Sequence, residues 1–144
     1  MILFNLISVQ DGYCNAGGKA CSERLASNDW SKLRQYQSKA RSAGSKKNID
    51  HNLIGAIISR ETRAGAALQT WNGEYGWGDC YGGQCYGWGL MQVDRRYHNV
   101  QGAWDSQKHM EQATGILIDT INCVGRNHSG WSLAQKTKGG VSGY

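Results

Sequence analysis

The segment that most restricts the fold is "YGWGDCYGGQCYGWGLMQVD", which occupies residues 75–94. It contains the tetrapeptide Tyr-Gly-Trp-Gly twice, at residues 75–78 and 86–89. This unit is too short to be a structural repeat. Glycine has no Cβ and favours turns and irregular backbone. We therefore expect residues 70–90 to form a long irregular region, with a short strand at "GLMQV".

The composition is that of one globular domain. The chain has 144 residues, of which 40% are hydrophobic and 19% are charged, and this length supports a single hydrophobic core. No run of about 18 apolar residues occurs, so the sequence predicts no membrane span. The formal net charge of +5 favours anionic partners such as bacterial wall polymers, nucleic acid or acidic lipid. An ordinary charge excess on a soluble protein is the simpler interpretation.

Apolar spacing and capping residues predict four helices. Their limits are Ser22 to about Ala43 with Gly44 as the stop, the segment from the Asp50 cap to Gly65, the segment from Ser106 to Gly125, and a helix opened by Ser132. The apolar stripes are Leu53, Ile54, Ile57 and Ile58 in the second helix and Met110, Ala113, Leu117 and Ile121 in the third. Ser132 and Gln135 have the spacing of a capping box.

The chain has five cysteines: Cys14, Cys21, Cys80, Cys85 and Cys123. An odd number leaves one cysteine unpaired within the chain. No second CxxC motif or histidine at finger spacing accompanies them, so a zinc site is not favoured. Disulfides formed in an oxidising compartment are the better interpretation.

Glu61 is the first candidate for chemistry. It follows Ile54 by seven residues and Ile58 by three, which places it on the apolar stripe of its helix. Burial disfavours the charged form of a carboxyl group, so the pKa of Glu61 should rise, as a general acid requires. The alternative is a structural salt bridge to Arg60 or Arg63.

Asp79 and Asp94 are the next candidates. Each has the surroundings of an Asx-turn or cap residue, which is the usual role of such an aspartate. An acid with a raised pKa and an ionised carboxylate together are also the groups that hydrolyse a glycosidic bond. Six Trp and seven Tyr against one Phe suit the flat apolar faces of sugars, although these aromatic side chains could equally belong to the core.

At this point the motifs "GAIISRETRAG", "WGD", "GLMQVDRRYH", "GAW" and "QATGILI" resemble those of the goose-type (g-type) lysozymes, in order and in spacing. The resemblance covers residues from about 13 to the end. It implies an α+β, mainly α-helical, lysozyme-like fold with a small β-sheet beside the active-site cleft. It also implies hydrolysis of the β-1,4 bond between N-acetylmuramic acid and N-acetylglucosamine in bacterial peptidoglycan.

The resemblance assigns roles to individual residues. Glu61 matches the general acid of the family, and Asp79 and Asp94 match the aspartates that position and activate water for inversion. The matched sugar-contact positions are Gln92, His98, Ile116 and Tyr144. The family's properties further imply a secreted, monomeric glycosidase that acts against bacteria or digests them. They imply no cofactor, no metal, no nucleic-acid partner and no membrane insertion.

Two departures from the family pattern alter these expectations. The stretch between Asp79 and Leu90 is longer than in the bird proteins and contains Cys80 and Cys85, which we expect to form a disulfide that closes a loop. Invertebrate members look more similar in this stretch. The family pattern also continues beyond Tyr144, so a chain truncated at its C-terminus is expected, with residues 1–12 as a signal remnant or disordered leader and residues 13–144 as the catalytic domain.

Two other functions remain open. A lytic transglycosylase has a similar fold and a single catalytic glutamate, but it needs no water-activating aspartates and forms an anhydro product. A shortened chain could also be an inactive form that binds the bacterial wall through its positive charge.

Overall fold

The computed structural model describes residues 18–144, so the leader predicted for residues 1–12 lies outside the described residues. The helices are α1 (Gly18–Leu33), α2 (Gln37–Lys47), α3 (His51–Thr62), α4 (Gln107–Asn127) and α5 (Leu133–Gly143), with a 3₁₀ turn at Arg34–Tyr36. The strands are β1 (Gln69–Trp71), β2 (Glu74–Tyr81), β3 (Gln84–Trp88) and β4 (Val93–Asp94). The predicted α+β fold, mainly helical with a small sheet, is confirmed.

The described chain divides into two compact units, residues 18–114 and residues 115–144. The first unit contains α1 to α3, the sheet and the beginning of α4. The second contains the rest of α4 and α5. Within residues 18–144, no helix is both long enough and apolar enough to cross a bilayer.

Helix α3 forms as its sequence predicts. The Asp50 side chain caps it by accepting a hydrogen bond of 2.8 Å from the backbone N–H of Asn52, which satisfies one of the free donors of the first turn. Ile54 and Ile58 on its apolar stripe are fully buried. The predicted end at Gly65 is wrong by three residues, because Arg63 already adopts the left-handed conformation, with φ of 53°.

The first predicted helix is two helices, joined by the 3₁₀ turn. Gly44 does not end the second of them; it lies buried inside α2, where a Cβ would come within 2.5 Å of the Ile49 carbonyl oxygen. This glycine therefore permits a close backbone approach. The helix ends instead at Asn48, which has a left-handed φ of 53°, a conformation that asparagine tolerates well.

The expectation of an irregular region at residues 70–90 is wrong. This segment forms most of an antiparallel sheet in the order β1-β2-β3-β4. Two-residue turns with positive φ join its strands: Asn72–Gly73 connects Trp71 to Glu74, and Gly82–Gly83 connects Tyr81 to Gln84. Asn-Gly and Gly-Gly favour this type of hairpin because both central residues need φ > 0. The glycines thus build the sheet rather than prevent it.

The strand predicted at "GLMQV" is only partly correct. Residues 89–92 form a turn, in which Leu90 and Met91 are fully buried, and only Val93–Asp94 pairs with β3.

The aromatic residues of the sheet divide between core and surface. Trp77 and Trp88 are buried, whereas Tyr75 and Tyr81 are exposed.

The predicted stripe of α4 is buried at all four positions: Met110, Ala113, Leu117 and Ile121. Ser106 accepts a hydrogen bond from the backbone N–H of His109 and so caps the helix, which continues two residues beyond the predicted end at Gly125. The capping box of α5 is confirmed, with both of its hydrogen bonds between Ser132 and Gln135 present.

Candidate active site

Glu61 lies in the last turn of α3 and is only partly exposed. Burial raises the pKa of its carboxyl group; the Arg60 charge opposes this shift, and the negative charge of Asp79 adds to it. Among residues 18–144, Glu61 makes no salt bridge and no side-chain hydrogen bond. The structural salt bridge considered from the sequence is therefore not formed, and the carboxyl group retains its proton more readily than an exposed glutamate does.

A buried aspartate pairs with Arg63, at the end of α3. The Asp29 carboxylate is almost fully buried and accepts hydrogen bonds from Arg63 Nε at 3.0 and 3.1 Å and from the Ser59 hydroxyl at 2.7 Å. A buried charge needs such pairing. These bonds also anchor the residue at which α3 ends, and they therefore help to orient the helical turn that carries Glu61.

The sheet brings Asp79 and Asp94 towards each other. In the ladder, Gly87 of β3 pairs with Gly78 on one side and with Asp94 on the other. Asp94 therefore lies two strands away from the residue that precedes Asp79. Adjacent strands are about 4.8 Å apart, so the two aspartates are within reach of one long side chain. Asp79 has a positive φ of 49°.

Arg96 is that long side chain. Its Nη2 atom lies 2.5 Å from Asp94 Oδ2 and 3.8 Å from Asp79 Oδ2. The Asp94 carboxylate also accepts the backbone N–H of Arg96 at 2.8 Å, which is the Asx-turn considered from the sequence. Burial raises the pKa of Asp94, but the hydrogen bonds and charge of Arg96, with a contribution from His98, outweigh it and lower the pKa below its usual value.

Gln92 and His98 lie next to Asp94. A Cβ at Gly78 or at Gly87 would collide with the Gln92 side chain, so these two glycines give that side chain its place over the sheet. Its amide donates to the Gly89 carbonyl at 2.9 Å. The backbone N–H of His98 donates to the Asp94 carbonyl at 3.0 Å. Both predicted sugar-contact residues therefore belong to the same unit as the three carboxyl groups.

Ile116 and Tyr144 belong to the other unit. Ile116 is a partly buried residue of α4, and Tyr144 directly follows α5. Their assignment as sugar contacts stays a prediction.

Two buried residues that the sequence did not single out hold the turn before Asp94. The Thr62 hydroxyl lies 3.0 Å from the Leu90 carbonyl oxygen. His109 Nε2 accepts the backbone N–H of Met91 at 3.1 Å, and desolvation by burial lowers the pKa of His109 to about 4, so that it stays neutral. No sequence pattern marks these two contacts. Arg96 had a weak signal, because it follows Asp94 at the spacing of an Asx-turn.

Three of the four cysteines that the structure describes are in disulfides. Cys80 and Cys85 face each other across β2 and β3 and form a disulfide, and Cys21 is also disulfide-bonded. Cys123 is an exposed free thiol. In the part of the chain that the structure describes, no three His, Cys, Asp or Glu side chains are grouped as metal ligands.

Comparison with known proteins gives one consistent result. The family model "Lysozyme g" matches residues 6–144. The chain is 40% identical over 131 residues to "Lysozyme g" of Epinephelus coioides, covering 88% of this chain and 66% of that protein. It is 39% identical to "Lysozyme g" of Struthio camelus, with coverage of 92% and 59%, and 39% identical to "Lysozyme g-like protein 2" of Homo sapiens, with coverage of 85% and 54%. The chain thus spans less than two thirds of the length of each relative.

Proposed function

The chain belongs to the lysozyme g family, and we propose that it is a muramidase that hydrolyses the β-1,4 bond between N-acetylmuramic acid and N-acetylglucosamine of peptidoglycan, with inversion. The observation that carries this proposal is the contrast between the carboxyl groups. The pKa of Glu61 is raised and that of Asp94 is lowered. Neighbouring titratable groups whose pKa values are shifted in opposite directions indicate an acid and a base.

In the proposed reaction, Glu61 donates its proton to the glycosidic oxygen as the bond from that oxygen to the anomeric carbon breaks. A water molecule attacks the anomeric carbon from the opposite face. Asp79 and Asp94 orient this water and accept its proton. The configuration at the anomeric carbon is inverted because a single displacement occurs.

Four residues are proposed to bind the sugar chain: Gln92, His98, Ile116 and Tyr144. For Gln92 the support is geometric, since Gly78 and Gly87 make room for it next to Asp94. We further propose that the protein is secreted, acts as a monomer on bacterial walls in defence or digestion, and needs no cofactor. The Cys80–Cys85 disulfide and the disulfide bond of Cys21 support an oxidising compartment, and the net charge of +5 suits an anionic wall.

The test compares Glu61→Gln with Glu74→Gln on purified peptidoglycan, with the release of reducing ends as the measurement. Glu74 is an exposed residue of β2 and controls for the loss of one negative charge. We expect Glu61→Gln to lose at least about 100-fold in rate, because general acid catalysis contributes about 10²–10⁴-fold, and Glu74→Gln to behave as the wild type. Retained hydrolysis in Glu61→Gln would contradict the assignment.

Mass spectrometry of the products separates the alternatives. Hydrolysis gives products with a reducing end, whereas a transglycosylase gives anhydro products that are lighter by one water. A wild-type chain that binds peptidoglycan but releases neither product would be a wall-binding form.

A further inference from the structure

One guanidinium group contacts both aspartates of the candidate site. Arg96 Nε lies 2.9 and 3.1 Å from the two oxygens of the Asp94 carboxylate, and Nη2 lies between that carboxylate and Asp79. The contact with Asp94 is a fork with parallel N–H···O bonds, which only arginine can make. Its remaining nitrogen, Nη1, donates to a tyrosine instead of to an aspartate.

The orientation of this guanidinium is set by two tyrosines of the β2–β3 hairpin. Nη1 donates a hydrogen bond of 2.8 Å to the Tyr81 hydroxyl. The guanidinium carbon lies 4.4 Å from the centre of the Tyr86 ring, in a cation–π contact. The Arg96 side chain is 39% exposed. Even so, the Tyr86 ring lies against its guanidinium group, and all three guanidinium nitrogens have partners. A surface arginine in a single ion pair would not have this many restraints.

Such a restraint has a chemical consequence for two neighbouring carboxylates. Two negative charges held close together disfavour each other, and a positive charge between them offsets this repulsion. A proton on either aspartate would remove a base from the proposed reaction. The charged groups that act on this pair from the surrounding elements are Arg96 and His98 beside Asp94, and Glu61 beside Asp79. Of these, Arg96 is the group that contacts both.

We propose that Arg96 is a positioning residue for the hydrolysis proposed above: its one guanidinium group holds the Asp79 and Asp94 carboxylates next to each other, and its positive charge favours the anionic form of Asp94. Tyr81 and Tyr86 support it by holding the plane of the guanidinium. This inference rests on the proposed function as far as the role of Arg96 in catalysis is concerned. The effect of Arg96 on the ionisation of Asp94 can be measured whether or not the protein is active.

The kinetic test uses Arg96→Gln, Arg96→Lys and Tyr81→Phe, with Arg41→Gln as the control. Arg41 is exposed on α2, and its replacement removes the same charge. We expect Arg96→Gln to lower kcat by about 10- to 100-fold, which is less than the loss of a general base, because both aspartates remain and only their positioning is impaired. KM should change much less. The acid limb of the pH profile should move up by about one unit.

Arg96→Lys should restore the position of the acid limb but only part of kcat, because lysine provides the charge without the fork. Tyr81→Phe removes one hydroxyl and should lower kcat to a smaller extent. These two variants carry the test if Arg96→Gln fails to give a cooperative melting transition. Arg96 variants with the kcat and pH profile of Arg41→Gln would overturn the proposal.

A second measurement does not depend on activity. Carbon NMR of the aspartate carboxyl groups, followed as a function of pH, should show that Arg96→Gln raises the pKa of Asp94, while Arg41→Gln leaves it unchanged. An Asp94 titration that is the same in wild type and Arg96→Gln would overturn the proposal. A wild-type chain without hydrolytic activity would instead reject the proposed function, and the NMR titration would still decide whether Arg96 favours the anionic form of Asp94.

Discussion

The Thr62 hydroxyl donates a hydrogen bond to the Leu90 carbonyl at 3.0 Å, and it thereby joins the residue after Glu61 to the turn that contains Gln92. The same hydroxyl lies 3.1 Å from the Ile58 carbonyl oxygen and accepts the Gly65 N–H at 3.1 Å. One buried oxygen therefore connects the end of α3 to the segment that leads to Asp94.

Thr62→Val should destabilise the protein by about 1–3 kcal/mol, because it leaves buried backbone groups without partners. Thr70→Val is the matched control, since Thr70 is exposed on β1. Urea unfolding measures both. Equal losses for the two variants would show that the Thr62 hydroxyl has no such role.

Glu61→Gln should stabilise the protein increasingly as the pH rises. The pKa of Glu61 in the folded protein is raised above its ordinary 4.5, so the folded state binds this proton more tightly than the unfolded chain. Wild-type stability is therefore fully present below the unfolded pKa and falls as the pH rises through the folded pKa. Glutamine does not titrate. Thermal melting from pH 4 to pH 8 measures the difference, which Glu74→Gln should not show.

His109 should make the protein sensitive to acid. Its pKa is lowered from 6.5 to about 4 in the folded protein, so its contribution to stability is present above pH 6.5 and is lost as the pH falls towards 4. The expected loss is about 3 kcal/mol over this interval. His109→Gln should remove most of this pH dependence, whereas the same change at exposed His128 should not. Chemical denaturation at several pH values tests this.

Gly87→Ala should displace the Gln92 side chain, because the added methyl group would collide with it. If Gln92 binds the sugar chain, KM should rise by about tenfold, which corresponds to the loss of about one hydrogen bond. Gly55→Ala on α3 is the control, since nothing lies within 4 Å of its Cβ, and it should stabilise the helix slightly. An unchanged KM in Gly87→Ala would remove Gln92 from the proposed site.

Asp94→Asn should reduce kcat less than the double variant Asp79→Asn/Asp94→Asn, because Asp79 can still hold the attacking water. Asparagine retains an oxygen that can accept the backbone N–H of Arg96, so the Asx-turn of 2.8 Å should persist. Steady-state kinetics on peptidoglycan separates the two variants. A single variant as inactive as the double one would mean that Asp79 alone cannot serve.

Local signals predicted the helices well. The Asp50 cap, the apolar stripe of α3 and the capping box at Ser132 depend on residues within one turn of each other, and all are present. The ends of helices were less predictable. Glycine is a common residue at the end of a helix, and Gly44 was therefore predicted to end one. Its role instead depends on the Ile49 carbonyl, which approaches it from outside the helix, and sequence spacing does not reveal such an approach.

The sheet was not predicted because glycine was interpreted only as a residue that interrupts helices and strands. The Asn72–Gly73 and Gly82–Gly83 pairs, each between two aromatic or polar runs, were signals for hairpins. Glu61 could be singled out from its place on the apolar stripe of α3, and the family motifs then assigned roles to Glu61, Asp79 and Asp94. The roles of Arg96, Thr62 and His109 could not be predicted, although the first two lie within the quoted motifs, because their contacts depend on how separate elements meet in three dimensions.

The Cys80–Cys85 disulfide has a consequence for how this chain tolerates changes in length. It links β2 to β3 at a point between Asp79 and the Gly82–Gly83 turn. A change in the conformation of the turn is therefore not transmitted to the backbone at Asp79. Residues inserted between Gly82 and Gly83 would enlarge the tip without shifting the paired Gly78 and Gly87. The tip of this hairpin can therefore vary in length while the aspartates stay in register.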